Sequence, residues 1–325
     1  MTARRILVTG ASGFVGKALC QCLRDNDMLI NAAIRKSAGS EGSEACFFSV
    51  GEIGGNTDWA AALENVDCVV HLAARVHVMA DMESDPLAAF RRVNVEGARR
   101  LAEQAAQVGV TRLIFISSIK VNGEVTDASK DDRPFSSFTP ACPVDAYGQS
   151  KWEAEQVLHE VAARTGLEVV IIRPVLVYGP GVKANFQTMM RWLDRGVPLP
   201  LGAIHNKRSL VALDNLVDLI VTCIDHPAAA NQTFLVSDDE DLSTTELLQR
   251  MAGALGKSVC LLPVPAILLK SGALLLGRRG VAQRLLGSLQ VDISQTKSTL
   301  GWTPPVSVDD ALKKTAEGFL SRARD

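Results

Sequence analysis

Ile6-Leu7-Val8-Thr9-Gly10-Ala11-Ser12-Gly13-Phe14-Val15-Gly16-Lys17-Ala18-Leu19-Cys20-Gln21-Cys22-Leu23 is the stretch that decides the fold. A short β-rich run, Ile6 to Thr9, feeds into three spaced glycines and then into a helix-like segment from Lys17. Glycine is needed where the turn is tight, where backbone approaches a pyrophosphate, and where helix packs closely on strand. The phosphates of a dinucleotide then sit at the positive helix N-terminus. A glycine pattern alone also fits a purely structural turn, but the strand before it and the helix after it select the dinucleotide reading. Gly10, Ser12, Gly13, Phe14, Val15 and Gly16 are expected to border the phosphates.

Further strands alternate with helices: Leu29 to Ile34, Cys46 to Val50, Val66 to Leu72, Arg112 to Ser117 and Glu168 to Arg173. That alternation implies an α/β fold with a parallel, doubly wound sheet of the Rossmann kind. An acid about 20 residues past the glycines would accept hydrogen bonds from the adenosine ribose of NAD. The second strand instead ends in Ile34-Arg35-Lys36-Ser37, and two cations suit the extra 2′-phosphate of NADP. NADP(H) is therefore expected ahead of NAD(H), with a solvated basic loop as the plain alternative. Ligands lie beyond the carboxyl ends of such strands, so Ala73, Ala74, Ser117 and Ser118 should border the cofactor. Glu52 and Ile53, after the third strand, fall where the adenine would lie. Asn94 is read as a brace for a neighbouring strand end, and His71 as packing.

Tyr147-Gly148-Gln149-Ser150-Lys151 supplies the chemistry. On a helix the phenol and the ammonium share a face one turn apart. A cation beside a phenol stabilises the phenolate, so the Tyr147 pKa is expected to fall from about 10 toward working pH. Ser118, at a strand end, can hold a substrate oxygen beside that phenol.

These motifs, in this order, resemble the extended short-chain dehydrogenase/reductase family, in its sugar-nucleotide epimerase/dehydratase branch. The matching segments are Thr9 to Gly16, His71-Leu72-Ala73-Ala74, Ile116-Ser117-Ser118, Tyr147 to Lys151, Arg173-Pro174 with Val177-Tyr178-Gly179-Pro180, and Arg208 with Asp214. The resemblance implies that Tyr147 is the general acid/base, that Lys151 also bonds the nicotinamide ribose, and that Ser118 orients the sugar C4 oxygen. It extends the cofactor site to Leu72 and Pro174. It implies a UDP-linked sugar substrate whose diphosphate lies near Asn185, Phe186 and Arg208, with Arg278, Arg279 or Arg284 as a further contact. Branch members are commonly homodimers through a face that includes the Tyr147 helix.

Dehydratases of the branch carry an Asp-Glu pair directly after the strand-end hydroxyl, because loss of water across C5 and C6 needs its own acid and base. Ile119 and Lys120 stand there instead. The run Ile119-Lys120-Val121-Asn122-Gly123-Glu124, where many epimerases show Tyr at the position of Asn122, resembles a subgroup from surface-polysaccharide (O-antigen) pathways. That subgroup includes a 4-reductase forming UDP-N-acetyl-quinovosamine from UDP-4-keto-6-deoxy-N-acetylglucosamine. The expectation is thus a 4-keto reductase first and a UDP-hexose 4-epimerase second. A non-catalytic dinucleotide sensor is a third reading, which retention of the tyrosine opposes.

Composition excludes other classes. With 34 basic and 36 acidic residues the net charge is -2, which gives no general attraction to nucleic acid or to an anionic membrane, so any anion site must be local. The seven cysteines fit no zinc or redox spacing and are read as reduced core thiols of a cytoplasmic protein. The apolar run Leu261 to Leu276 is broken by Pro263, Pro265 and Lys270 and is too short to span a bilayer, so it is read as a buried or partly surface-lying helix. The dinucleotide domain is expected to cover 1–174 with about 210–236. A smaller, mostly helical substrate domain would take about 175–209 and 237–325.

Overall fold

The computed structural model describes residues 4–35, 46–76, 85–126, 133–275, 277 and 279–322. Seven strands, β1 (Arg5–Thr9), β2 (Leu29–Ile34), β3 (Cys46–Ser49), β4 (Cys68–His71), β5 (Arg112–Ile116), β6 (Glu168–Pro174) and β9 (Thr233–Val236), form one sheet. Their order is β3-β2-β1-β4-β5-β6-β9, with every pair parallel. The order reverses between β1 and β4, and a crevice opens there at the strands' carboxyl ends.

Helices cover both faces, which explains why the strands read as unbroken apolar runs. Alternate residues divide cleanly between the two sides. Ile6, Val8, Val70, Ile114, Ile116, Val170 and Ile172 face α1 (Phe14–Asp25) and α6 (Leu213–Asp225). Leu7, Val69, Leu113, Phe115, Val169 and Ile171 face α3 (Gly97–Gln107) and α4 (Ala146–Thr165). Each side chain is thus committed to one face by the pleat, so a one-residue register slip would exchange the two cores.

A second sheet of three short strands has the order β10-β8-β7, from β7 (Leu176–Tyr178), β8 (Arg208–Ala212) and β10 (Asp241–Leu242). It lies with α5 (Ala184–Asp194), α7 (Thr244–Ala254) and α11 (Val308–Arg322) around a separate apolar core. Three more helices complete the C-terminal part: α8 (Ala266–Leu275), α9 (Arg279–Leu286) and α10 (Ser294–Leu300). The short helix α2 (Pro86–Arg91) runs into α3 through a π-helical turn, Arg92–Glu96. All seven cysteines are free; Cys20, Cys68 and Cys223 are buried, while Cys46, Cys142 and Cys260 are exposed. The expectation of core thiols holds for only part of the set.

Candidate active site

The glycine turn has room for backbone and little else. Gly10 adopts φ +68°, and a Cβ there would meet the Ala73 nitrogen at 2.9 Å; one at Gly16 would lie 2.2 Å from the Gly10 carbonyl oxygen. The turn therefore closes directly beside the loop that leaves β4. Helix α1 opens with Gly13 as its cap, without a side-chain capping bond and without an acid in its first turn. Its terminal N–H groups are left for an anion, and Ser12 and Gly13 beside them are exposed. This donor set fits the diphosphate of a dinucleotide.

Thr9 ties the switch point together. Its Oγ1 accepts the Ala73 N–H at 3.2 Å and shares a 2.7 Å hydrogen bond with His71 Nδ1. His71 is fully buried, lies against the Phe115 ring, and is pushed down to about 3 by burial and then by the Lys151 charge. It is a neutral strut, and it fixes the loop in which Leu72, Ala73 and Ala74 stand half-buried. Asn94 fixes the same loop from the other side. Its amide closes both backbone groups of Arg75, at 2.8 and 3.1 Å, and donates to Ser150 Oγ at 2.9 Å. Ser150 in turn donates to the Tyr147 carbonyl at 2.8 Å. The π-helical turn aims Asn94 at these partners, joining the cofactor-side loop to the Tyr147 turn.

At the adenosine end Arg35 is exposed at the tip of β2, and Lys36 lies outside the described residues. Glu52 is exposed, with its carbonyl accepting from Thr57 Oγ1 at 3.2 Å. Ile53 is wedged against the helix at Gly97, where a Cβ would stand 2.5 Å from its methyl. Pro174, last in β6, is buried and pairs with Val236.

Asp145 caps α4 by accepting the Gly148 N–H at 2.7 Å, which puts Tyr147 in the helix's first turn. The same carboxylate holds Lys120 at 2.5 Å, and Lys120 also meets Glu124 at 2.5 Å. Gly148 passes so near the turn after β5 that a Cβ would come 2.7 Å from the Lys120 carbonyl oxygen. The first turn of α4 is thereby clamped onto the segment that begins with Ser118. Ser118 Oγ accepts the Lys120 N–H at 3.2 Å, leaving its own proton to donate to a ligand oxygen. Ser117 is turned away from the crevice; it is buried and donates to Glu155. Its expected place beside the cofactor is not what the structure gives.

Lys151 is buried under the tip of β5, donating to the Ile116 carbonyl at 2.7 Å and lying 4.3 Å from the Phe115 ring centre. Burial lowers it to about 7, against the opposing pull of Glu155. Tyr147 is raised to about 12, first by burial and then by the Asp145 charge. The expected lowering of the phenol by Lys151 is therefore absent from the ligand-free chain. The ammonium is engaged at Ile116, and loss of water around the phenol outweighs its field. The phenol rests protonated, edge-on to Phe90.

Behind these groups is a buried network absent from the sequence reading. Arg173 donates to Glu155 through Nε at 3.0 Å and through Nη2 at 2.5 Å, and its Nη1 reaches Asn122 Oδ1 at 3.1 Å. Glu155 lies one turn beyond Lys151, so the pair locks α4 across the ends of β5 and β6. The i, i+4 spacings Lys120–Glu124 and Lys151–Glu155 were the available signals.

On the substrate side, Arg208 opens β8 half-buried and donates to the Gly287 carbonyl at 3.1 Å. Burial lowers its pKa, Glu124 opposes the shift, and the positive charge of Arg284 adds to it. Arg208 thus lies within electrostatic reach of both the Ser118 turn and Arg284. Arg278 and the side chain of Arg279 fall outside the described residues. Asn185 is exposed on α5, whereas Phe186 is 2% exposed and stacks on Tyr178 with ring centres 5.4 Å apart. The Phe186 ring belongs to the second core, leaving only its backbone for a ligand.

Residues 6–237 match the model of the NAD dependent epimerase/dehydratase family. The chain belongs to that family. It is accordingly an enzyme of the extended short-chain dehydrogenase/reductase type, NAD-dependent as a family, and the sensor reading falls away. A UDP-glucose 4-epimerase of Vibrio cholerae is 50% identical over 319 residues, covering 98% of this chain and 96% of that one. An Escherichia coli O157:H7 4-epimerase, named for N-acetyl-α-D-glucosaminyl-diphospho-ditrans,octacis-undecaprenol, is 28% identical over 265 residues, 80% of this chain and 75% of its own. The fold is similar to that of Thermotoga maritima UDP-glucose 4-epimerase, solved with UDP-glucose, at TM-score 0.75 and 22% identity over 98% and 99% of the two chains. It is also similar to Bacillus cereus UDP-glucuronic acid 4-epimerase, solved with NAD, at TM-score 0.77 and 20% identity over the same shares. These relatives favour the epimerase expectation over the reductase one, and none of them carries the preference for NADP.

Proposed function

We propose that this chain is a UDP-hexose 4-epimerase, inverting C4 between UDP-glucose and UDP-galactose or their N-acetyl counterparts. The observation that carries the reading is the Vibrio cholerae relative, half identical over nearly the whole of both chains. The site chemistry supports it: Ile119 is buried, and the Lys120 ammonium is held by Glu124 and Asp145, so no acid and base stand after Ser118 to remove water.

Gly10 to Gly16 would hold the diphosphate of NAD, with Arg35 and Lys36 near the adenosine ribose, Glu52 and Ile53 near the adenine, and Leu72, Ala73, Ala74 and Pro174 along the dinucleotide. Bound NAD supplies a reversible hydride acceptor. Tyr147, once its own proton has passed to an uncharged Lys151, takes the proton of the C4 hydroxyl and returns it to the C4 oxygen after the sugar has presented its other face. Ser118 donates to that oxygen throughout. Lys151, near half-charged at neutral pH, is the proton partner of Tyr147 and a donor to the nicotinamide ribose. Arg208 and Arg284 hold the substrate diphosphate, with Asn185 and the Phe186 backbone at its edge. Residues 1–174 with about 210–236 act as the dinucleotide domain, and about 175–209 with 237–325 as the substrate domain, in a cytoplasmic homodimer.

One observation favours a second reading. Arg35 follows β2 directly, where an NAD site has an acid, which suits NADPH and a 4-keto reductase. The cofactor that copurifies decides between them. Tightly held NAD and conversion of UDP-glucose to UDP-galactose, lost in Tyr147→Phe, support epimerisation. An empty site filled preferentially by NADPH, with oxidation of NADPH by a 4-keto sugar nucleotide, supports reduction.

A further inference from the structure

We propose that α8 and the basic segment running from it into α9 dock on the surface of an anionic lipid bilayer. The helix is strongly apolar, Ala-Ile-Leu-Leu-Lys-Ser-Gly-Ala-Leu-Leu, yet none of its residues is buried. Ala266 and Leu269 rest on the second core, while Ile267 is 72%, Leu268 61%, Leu274 49% and Leu275 87% exposed. A contiguous patch of large aliphatic side chains in water is unfavourable, and on soluble proteins such patches mark interaction surfaces. Ten residues make a helix only about 15 Å long, half of what a bilayer core requires, so the helix would lie in the interface plane.

Charge identifies the occupant. Between Glu246 and Asp292 the sequence contains no acid and six cations: Arg250, Lys257, Lys270, Arg278, Arg279 and Arg284. With the whole chain at -2, the remainder carries -2 - 6 = -8. The segment is therefore net positive in a chain that is net negative over the rest of its length. Arg250 is paired with Glu240 and Asp309, and Lys257 with Asp194. Lys270, on α8 and apart from the groups assigned to the substrate, is exposed and forms no salt bridge with a described acid. A second copy meeting this face about a two-fold axis would set cation against cation, because such an interface uses the same patch twice. An anionic bilayer satisfies both features at once, taking the aliphatic side chains into the headgroup region and pairing the cations with lipid phosphates.

The inference is independent of the C4 chemistry, since it concerns a face outside the catalytic groups. Its test is cosedimentation of the full chain with vesicles of phosphatidylcholine alone or mixed with phosphatidylglycerol, at low and high salt. The expected result is binding that requires phosphatidylglycerol and weakens with salt. Lys270→Glu should weaken it by at least about fivefold, and Ile267→Ser with Leu268→Ser and Leu275→Ser should abolish it, with far-UV spectrum and activity on soluble UDP-sugar unchanged. Absence of phosphatidylglycerol-dependent binding overturns the proposal, as does wild-type binding by the triple variant. If the triple variant instead dissociates a dimer in sedimentation velocity while the wild type ignores vesicles, the occupant is a second copy and the proposal is wrong.

Discussion

Replacing Arg173 by leucine removes the cation from a carboxylate that has almost no contact with water. Arg173 and Glu155 side chains are 10% and 1% exposed, and the guanidinium makes two bonds to Glu155 and one to Asn122. Leucine restores most of the apolar volume but leaves the Glu155 charge and the Asn122 oxygen unpaired. Stranding one partner of a buried ion pair costs about 3–5 kcal/mol. For a chain of 325 residues the unfolding entropy is roughly 0.7 kcal/mol/K, so the expected fall in Tm is about 4–7 °C. Differential scanning calorimetry at one fixed scan rate and neutral pH reads it. The account also requires rescue: Glu155→Gln added to Arg173→Leu deletes the stranded charge while retaining an acceptor for Ser117, so the double variant should melt above the single one. A fall of less than about 1 °C, or a double variant no more stable than the single, refutes the reasoning.

Gly148→Ala puts a Cβ within 2.7 Å of the Lys120 carbonyl oxygen and must lift the first turn of α4 from the Ser118 segment. The C4-inversion kcat should drop at least about tenfold with a smaller change in KM, and an unchanged kcat would contradict the clamp. Gly16→Ala, with its Cβ 2.2 Å from the Gly10 carbonyl oxygen, should abolish the rise in Tm that added NAD produces; a wild-type shift would count against the phosphate turn. Lys151 titrates near 7 folded against an ordinary 10.5, so between those values the unfolded chain binds more protons and wild-type stability rises with pH. Lys151→Met should therefore melt about 2–4 °C above the wild type at pH 6–7, with the gain shrinking toward pH 10, and a pH-independent offset would refute the buried-ammonium account.

The large sheet was legible because its strands are buried on both faces and read as apolar runs. Leu29–Ile34 is β2 residue for residue, and Arg112 and Glu168 are the first residues of β5 and β6. The glycine turn was legible because glycines at Gly10 and Gly16 are required by contacts of 3 Å or less. The three-stranded sheet was not anticipated, since strands of two to five residues carry too little periodicity to register. Tyr147, Lys151 and Ser118 come to one strand end as the spacing implied, but the direction of the Tyr147 shift did not follow from spacing. It depends on which way the Lys151 ammonium points and on how much water surrounds the phenol. That the Phe186 ring turns into the second core was likewise not legible, because a motif position does not say which way its side chain points. The Arg173–Glu155–Ser117 network joins residues 18 to 38 apart in sequence, and its one local sign, the Lys151–Glu155 spacing on α4, does not point to Arg173 or Ser117.

Epimerisation returns the hydride to the sugar that lost it, whereas reduction spends a cofactor for each turnover. The most direct measurement therefore follows UDP-glucose deuterated at C4, incubated with the protein and catalytic NAD, by NMR. The account predicts UDP-galactose with deuterium retained at C4, no accumulation of reduced cofactor, and no conversion by Tyr147→Phe. Loss of the label to solvent or to released cofactor would contradict it. So would an inert UDP-glucose beside stoichiometric oxidation of NADPH by a 4-keto sugar nucleotide.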